Sequence, residues 1–217
     1  MGTSIQTCYK GLTLKTIIAD SETIDYYEKS FEIYDSKTFN LDLSPQWDYF
    51  ANTIRPGGKI LDIGCGTGRD IIHFKNQGFS VDGLEPSKNM ASIASKRTHA
   101  NIFNIPVESL DIVEHYDGIW ACASLLHVKK ESFPYVIKAI LRALKYDGYL
   151  YISLKKGDEQ IRLEDGRLFS LFTEEQISRI FENLPSASII KSWSTTDSAG
   201  RGDVAWLNIM VKKGQPL

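Results

Sequence analysis

The sequence predicts an α/β fold, a doubly wound and mostly parallel sheet covered by helices. Short apolar runs alternate with segments in which apolar residues recur every three or four positions, the pattern of buried strands joined by amphipathic helices. Parallel strands need such helical crossovers, which place helices on both faces of the sheet. Three glycines at alternate positions follow one of the apolar runs, and doubly wound sheets bind ligands at a turn of this kind.

The length of the chain suits a single domain. Its 217 residues are enough for one α/β core, and no internal repeat, low-complexity tract or linker divides them. We predict one domain over residues 1–217, with residues 1–56 as an N-terminal helical extension and residues 57–213 as the α/β core.

Charge and cysteine content exclude several classes of protein. A formal net charge of −2 offers no general basic surface for nucleic acid. Cys8, Cys65 and Cys122 contain no Cys-x-x-Cys pair, so we expect neither a disulfide framework nor a metal site, and a reducing cytoplasm as the location. No run of about 18 apolar residues occurs, and we expect no membrane anchor.

Two helices are predicted ahead of the core. Apolar residues from Ile24 to Tyr34 recur at spacings of three and four, and most of them are aromatic, which predicts a helix with one aromatic stripe. Ser44 and Pro45 are typical of the N-cap and first turn of a second helix, which the Pro-Gly-Gly at residues 56–58 ends.

The glycine turn is the predicted binding site. The apolar run from Ile60 to Ile63 enters a turn containing Gly64, Gly66 and Gly68 and leaves it in an amphipathic helix. Glycine accepts positive φ angles and lets the backbone approach a ligand closely, and the free N–H groups of the helix start face the same crevice.

An acidic residue follows the second predicted strand, residues 79–84. Glu85 stands about 20 residues after the turn, where a carboxylate at a strand tip accepts both hydroxyls of a ribose. A tight turn with a helix-capping acid is the structural alternative. Pro86 and Ser87 then begin the next helix.

The rest of the chain continues the alternation. A buried central strand is predicted after Asp117, and small residues from Ala121 to Ser124 at its end leave room for a ligand. Thr173 and Gln176 form a capping box for a late helix. A polar loop over residues 155–166 is a candidate substrate rim. The other strands are predicted at residues 100–105, 149–154, 187–196 and 204–212, and another helix at residues 131–145.

The run Ile-Leu-Asp-Ile-Gly-Cys-Gly-Thr-Gly resembles the first motif of class I S-adenosylmethionine-dependent methyltransferases, and the chain is similar to their tellurite-resistance-type and type 11-like branch from about Tyr26 to Lys212. The resemblance implies a Rossmann-like sheet of seven strands that ends in a C-terminal antiparallel hairpin. It also implies S-adenosyl-L-methionine as the cofactor.

The resemblance implies a set of cofactor-binding residues. Asp62 would orient the turn or accept from the methionine amino group. A backbone N–H at Val107 or Glu108 would contact the adenine, with an ordinary solvated Glu108 as the alternative. The full set is Asp62, Gly64, Cys65, Gly66, Gly68, Arg69, Glu85, Pro86, Val107, Glu108, Ala121 and Ser124.

Substrate-side residues follow from the same resemblance. The N-terminal helix would form a lid that brings Tyr26, Tyr27 and Tyr34 over the methyl donor, with aromatic core packing as the alternative. Arg201 would reach an anionic substrate or remain a solvated loop residue. His127 would act as a general base or as a structural hydrogen-bonding residue.

The predicted function is methyl transfer to a small molecule. The Asn/Asp-Pro-Pro-aromatic motif of enzymes that methylate amino groups of adenine or glutamine is missing, as is the Pro-Cys dipeptide of cytosine-C5 enzymes. A tRNA base, a protein side chain and a non-catalytic cofactor-binding domain remain alternatives. A nicotinamide-dependent oxidoreductase is disfavoured because Thr67 interrupts the dinucleotide glycine spacing.

Overall fold

A computed structural model describes residues 18–200, 202 and 204–215. Its α-helices cover both faces of a central sheet, and short 3₁₀ turns occur at Val107–Ser109 and Leu125–His127. The α-helices of the described residues are α1 (Ser21–Thr38), α2 (Ser44–Ala51), α3 (Arg69–Asn76), α4 (Lys88–Thr98), α5 (Phe133–Ala143) and α6 (Glu174–Glu182).

The central sheet has seven strands in the order β3-β2-β1-β4-β5-β9-β8, and β6 and β7 form a separate two-stranded ribbon. The strands are β1 (Lys59–Ile63), β2 (Ser80–Leu84), β3 (Ile102–Phe103), β4 (Tyr116–Cys122), β5 (Leu144–Lys155), β6 (Gln160–Arg162), β7 (Leu168–Ser170), β8 (Ala187–Thr196) and β9 (Ala205–Lys213). The first five strands run parallel, and β9 pairs antiparallel with β5 and β8. The predicted seven-stranded sheet with a C-terminal antiparallel hairpin is confirmed.

The strand order places a switch point beside β1. Its neighbours are β2 on one side and β4 on the other, so the connections that leave β1 and β3 run in opposite directions across the sheet. The loops after β1 and β4 therefore diverge and open a crevice at the carboxyl ends of the strands.

The sheet separates two apolar clusters. Ile60 packs with Phe50 and Phe74 on the face covered by α2 and α3. Leu61 packs with Ile137 on the opposite face, which α5 covers. Burying one such side chain contributes about 1.5–3 kcal/mol to the free energy of unfolding. The apolar packing on both faces of the sheet therefore holds β1 in place.

Helix ends agree with most of the sequence prediction. Thr173 and Gln176 form the predicted capping box of α6. In α2, however, Leu43 is the N-cap, and Ser44 is the first helical residue, because the Ser44 hydroxyl bonds to the Asp42 side chain instead of a helix N–H. Within the described residues, no helix is long and apolar enough to cross a membrane, and no cluster of His, Cys, Asp and Glu is arranged to hold a metal ion.

Candidate functional site

A cavity that opens to solvent, with about 750 Å³ of empty space including its mouth, lies at the switch point. We call it the first cavity. Its walls come from the ends of β1, β2 and β4 and from the first 3₁₀ turn, and α1 closes it from above. The lining residues include Thr23, Tyr27, Tyr34, Gly64, Gly66, Glu85, Ser87, Val107, Ala123, Ser124 and His127.

The glycine turn forms the floor of the first cavity. Gly64 has a φ of +70°, and a Cβ added there would lie 2.4 Å from Cβ of Ser124, so a side chain would force the two strand ends apart. Gly66 has a φ of +55°, and a Cβ there would meet no atom within 4 Å because it would project into open space. The absence of side chains therefore keeps both the backbone path and the floor open.

Glu85 lies at the tip of β2, with only 5% of its surface exposed. Its Oε2 accepts the N–H of Gly66 at 2.9 Å, and its Oε1 accepts the N–H of Ser87 at 2.9 Å. Burial raises the pKa of this carboxyl to about 7. Two backbone donors use two of the roughly four lone-pair positions of a carboxylate, so each oxygen can accept one further hydrogen bond.

Two buried polar atoms near the glycine turn have no hydrogen-bond partner within the described part of the chain. They are Oγ of Ser124, on the cavity wall, and Oδ2 of Asp62, in β1. Burial and the nearby Asp70 carboxylate raise the pKa of Asp62 well above its usual range. Unpaired buried polar atoms cost about 1–3 kcal/mol each, and in native proteins they commonly mark a functional site.

The helix α1, which we call the lid helix, is joined to the opposite wall through Tyr27. The Tyr27 hydroxyl lies 2.8 Å from Nε2 of His127, and Nδ1 of His127 lies 2.6 Å from the carbonyl oxygen of Leu168. Since that carbonyl can only accept, Nδ1 carries the proton and Nε2 accepts from Tyr27. Burial lowers the pKa of His127 to about 4, so the imidazole is neutral.

Two acidic residues attach the lid helix to α4 and the glycine turn. Glu28 accepts the Ser87 hydroxyl at 2.7 Å and the backbone N–H of Asn89 at 3.0 Å. Asp35 accepts both terminal nitrogens of Arg97, at 2.9 and 3.0 Å, and also the hydroxyl of Thr67. The position of the lid helix is therefore coupled to the backbone around the floor.

Arg69 and Asp70 belong to a buried network away from the first cavity. Nε and Nη2 of Arg69 donate to Asp70 at 2.7 and 3.0 Å, and its Nη1 donates to the carbonyl of Thr38 at 3.0 Å. The indoles of Trp47 and Trp120 donate to the same carboxylate. Burial opposes ionisation of Asp70, but these donors hold its pKa below its usual range.

The structure brings many of the predicted site residues to one cavity and leaves others outside it. Those on its wall are Gly64, Gly66, Glu85, Pro86, Val107, Glu108, Ser124, Tyr27, Tyr34 and His127. Those behind the wall or turned away from it are Asp62, Cys65, Gly68, Arg69, Ala121 and Tyr26. The ring of Tyr26 instead lies 4.3 Å from the Arg167 guanidinium. Arg201 lies outside the described residues.

Sequence reasoning missed three polar residues of the first cavity. Ser87 was read only as a helix start, although its N–H and hydroxyl join Glu85 to the lid helix. Thr23 accepts the N–H of Leu168 at 2.9 Å and donates to Asp20, the N-cap of α1. The Asp20 cap itself was visible as an acid one residue before the helical pattern.

A second cavity of about 520 Å³ adjoins the first. Tyr34 and Ala123 line both cavities, so the two spaces adjoin at these residues. Ala123 has a φ of +52°, a left-handed conformation that costs a non-glycine residue about 1–2 kcal/mol. The chain therefore leaves β4 in a strained turn at Ala123. The methyl group of Ala123 is the smallest side chain of any L-residue and occupies little space at this junction.

Comparisons with known proteins identify the family. A family model described as "Methyltransferase domain" matches residues 34–184, more than half of the chain. An uncharacterized methyltransferase of Staphylococcus carnosus is 26% identical over 168 residues, covering 71% of this chain and 79% of that protein. The chain spans about half the length of several other curated relatives, for example 56% of a Geobacillus methyltransferase that is 30% identical over 139 residues.

Solved structures with low sequence identity share the fold. The 1,6-didemethyltoxoflavin-N1-methyltransferase of Burkholderia thailandensis, solved with 1,6-didemethyltoxoflavin and S-adenosylhomocysteine, has a TM-score of 0.75 at 19% identity, covering 90% of this chain and 87% of that one. The phosphoethanolamine N-methyltransferase 2 of Haemonchus contortus, solved with S-adenosyl-L-methionine, has a TM-score of 0.69 at 17% identity, covering 92% of this chain and 61% of that one.

The family predicted from the glycine motif is thereby confirmed, and with it the cofactor predicted from the same residues. The matched region contains the glycine turn and Glu85 as well as β4. By its fold and its matched domain, this chain belongs to the class I S-adenosylmethionine-dependent methyltransferases.

Proposed function

We propose that the first cavity binds S-adenosylmethionine and that the second cavity holds a small-molecule methyl acceptor. The observation that carries this proposal is the junction of the two cavities at Tyr34 and Ala123. A transferable methyl group has to pass directly from donor to acceptor, so two adjoining cavities of ligand size are the geometry that the reaction needs.

The residues of the first cavity suit this cofactor. The remaining lone pairs of Glu85 can accept both ribose hydroxyls, and the open floor at Gly66 leaves room for a ligand beside the backbone. The unpaired hydroxyl of Ser124 faces the same space and offers a further polar contact. We assign Val107 and Glu108, on the opposite wall, to the adenine end.

The predicted cofactor residues that do not reach the first cavity act from behind its wall. Gly68 begins α3 with a φ of +96°, and Arg69 holds the adjacent Asp70 carboxylate within the buried network. Cys65 and Ala121 are small enough to pack beneath the floor. Asp62 keeps its unpaired Oδ2 close to the turn and remains a candidate for the methionine amino group.

When bound, the cofactor would supply a methyl group carried on a positively charged sulfur, and the neutral thioether would be the leaving group, keeping the electron pair of the carbon–sulfur bond. The protein contributes alignment of the two ligands and exclusion of water by the lid helix. We propose that His127 positions Tyr27 in this lid instead of acting as a base, because its Nε2 already accepts a hydrogen bond and its pKa is about 4.

A small acceptor is favoured because the second cavity, with about 520 Å³ of empty space including its open mouth, cannot contain a folded macromolecule. The toxoflavin-precursor and phosphoethanolamine enzymes to which this chain is similar are named for small-molecule acceptors. A tRNA base or protein side chain inserted from outside is the alternative. A cytoplasmic location remains a prediction from the sequence.

Two measurements test this proposal. In calorimetric titrations we expect S-adenosylmethionine and S-adenosylhomocysteine to bind and NAD to show no binding. With methyl-labelled cofactor and a cell extract separated by size, we expect the label in the small-molecule fraction. Label in RNA or protein would contradict a small acceptor, and no transfer by protein that binds the cofactor would favour a non-catalytic domain.

A further inference from the structure

A row of polar side chains from three neighbouring strands lines the second cavity. Cys122, Ser153 and Asn208 are register partners on β4, β5 and β9. Ser153 is 3% exposed and Asn208 is 2% exposed, although buried strand positions usually carry apolar side chains. Tyr151 lies two residues before Ser153 and lines the same cavity. A buried polar row of this kind points to a ligand.

The side chains of this row use their hydrogens in bonds to one another and to neighbouring residues, so they offer a ligand mainly hydrogen-bond acceptors. The Tyr151 hydroxyl donates to Oδ1 of Asn208 at 2.6 Å, and Nδ2 of Asn208 donates to the carbonyl of Trp193 and the hydroxyl of Thr195. Ser153 donates to Sγ of Cys122 and accepts from the N–H of Ala123. The hydroxyl and amide hydrogens of Tyr151, Ser153 and Asn208 are therefore in use, whereas lone pairs on the oxygens of these three side chains remain.

The charges around the second cavity disfavour an anion. No Lys, Arg or His lines it in the part of the chain that the structure describes. Burial raises the pKa of the Cys122 thiol, and the Asp70 carboxylate adds to this shift, whereas the Arg69 guanidinium opposes it. Because Arg69 already donates to Asp70, it is not an unpaired cation for a ligand in the second cavity. An anion taken from water into such walls would lose hydration without a cationic partner.

Aromatic side chains suggest the shape of the ligand. Tyr34, Tyr151 and Trp206 contribute to the walls, and flat rings pack well between aromatic side chains. We infer that the second cavity takes an uncharged aromatic or heteroaromatic acceptor whose O–H or N–H group donates to the oxygens of Tyr151, Ser153 and Asn208. This inference rests on the proposed function and narrows its substrate class. The proton of that group would pass to solvent when the products leave and water enters the cavity again.

The test compares three probes of similar shape: 2-naphthol, which is neutral with a donor, 2-methoxynaphthalene, which is neutral without one, and 2-naphthoate, which is an anion. Each is titrated into protein saturated with S-adenosylhomocysteine while the indole N–H resonance of Trp206 is followed by NMR. We expect 2-naphthol to shift this resonance and to bind about tenfold more tightly than either of the other probes, the ratio expected for one net hydrogen bond.

Single substitutions with a control on the same strand test which side chains contact 2-naphthol. Tyr151→Phe removes one acceptor oxygen, and we expect it to weaken 2-naphthol binding about three- to tenfold without changing the affinity for S-adenosylhomocysteine. Tyr149→Phe, on the same strand but outside the second cavity, is the control. Ser153→Ala provides a second test if the first variant folds poorly, and thermal unfolding checks each protein.

The outcomes separate the alternatives. Binding of 2-naphthoate as tight as that of 2-naphthol would overturn the inference, and its loss in Arg201→Gln would assign an anionic acceptor to Arg201. The absence of any response at Trp206 in protein that binds S-adenosylhomocysteine would also overturn it. Failure to bind S-adenosylhomocysteine would instead contradict the proposed function.

Discussion

The hydroxyl of Tyr27 donates to Nε2 of His127 across 2.8 Å, and through this bond the lid helix is held against the turn that follows β4. Nδ1 of the same imidazole donates to the carbonyl of Leu168 in β7, whose N–H is bound by Thr23 of the lid helix. One histidine thus joins three segments that are distant in sequence. Movement of the lid helix has to break this contact or carry the β6–β7 ribbon with it.

Replacing Tyr27 by Phe removes the donor to Nε2 of His127 and leaves a partly buried acceptor unpaired. We expect Tyr27→Phe to lower the free energy of unfolding by about 1–3 kcal/mol, measured by urea denaturation, and to weaken binding of S-adenosylhomocysteine because the lid helix closes less firmly. Tyr26→Phe is the control, since Tyr26 does not line the first cavity. Equal losses of stability and of affinity in the two variants would contradict a specific contribution of the hydrogen bond between Tyr27 and His127.

The pH dependence of stability should reveal the buried imidazole. The pKa of His127 is about 4 in the folded protein and about 6.5 when exposed, so the unfolded chain binds more protons between these values. His127 therefore contributes a free energy of unfolding that is fully present above pH 6.5 and is lost as the pH falls towards 4. The pKa of Glu85 is raised to about 7, so its contribution to the free energy of unfolding changes with pH in the opposite direction, over a pH range that overlaps with that of His127. The measurement is accordingly the difference between wild type and His127→Gln, which should shrink on acidification; a constant difference would contradict a neutral His127.

Asp35 provides a test of the lid helix that leaves the first cavity untouched. Asp35→Asn weakens the two-point ion pair with Arg97 and the contact with Thr67. Because the pair is partly exposed, we expect a cost of about 1 kcal/mol or less, seen as faster amide hydrogen exchange in α1 and a few-fold loss of cofactor affinity. Asp25→Asn, an exposed position on the same helix, should change neither quantity. Unchanged exchange in Asp35→Asn would show that the other contacts alone hold the lid.

The fold was predictable because its main signals are local. The apolar run before Gly64, the acid at residue 85 and the alternation of strands with helices each depend on neighbours in sequence. The ribbon of β6 and β7 was missed: β6 is a three-residue exposed strand within a polar loop, too short for an alternating pattern.

The site was less predictable because its contacts join distant segments. Tyr27 and His127 are 100 residues apart, and no spacing rule connects them. Arg69 directly follows the glycine turn, which suggested a ligand contact, whereas in the structure its guanidinium donates to Asp70 and to the carbonyl of Thr38. A contact of Arg69 with a ligand stays a prediction. The second cavity depends on the pairing of β5 with β9, which only the folded sheet reveals.

Glu85 provides the most direct test of cofactor binding. In Glu85→Gln one of the two carboxylate oxygens becomes an NH₂ group, so the N–H of Gly66 or of Ser87 loses its acceptor and the ribose loses a charged partner. We expect a loss of about 1.5–3 kcal/mol in binding S-adenosylhomocysteine, measured by calorimetry. Glu108→Gln, a second acid on the wall of the first cavity, should bind normally because the proposed adenine contact at this position uses the backbone.

Protonation adds a second signature of the same residue. In the free protein the pKa of Glu85 is about 7, and ribose hydroxyls that donate to the ionised carboxylate lower it on binding. Binding therefore releases a proton, so the wild-type affinity should rise between pH 6 and pH 8 and level off above that range. Glu85→Gln cannot titrate, and its affinity should vary much less with pH. A wild-type affinity that is flat across this range would mean that the carboxylate is already fully ionised before the cofactor binds, and that the backbone donors of Gly66 and Ser87 outweigh burial.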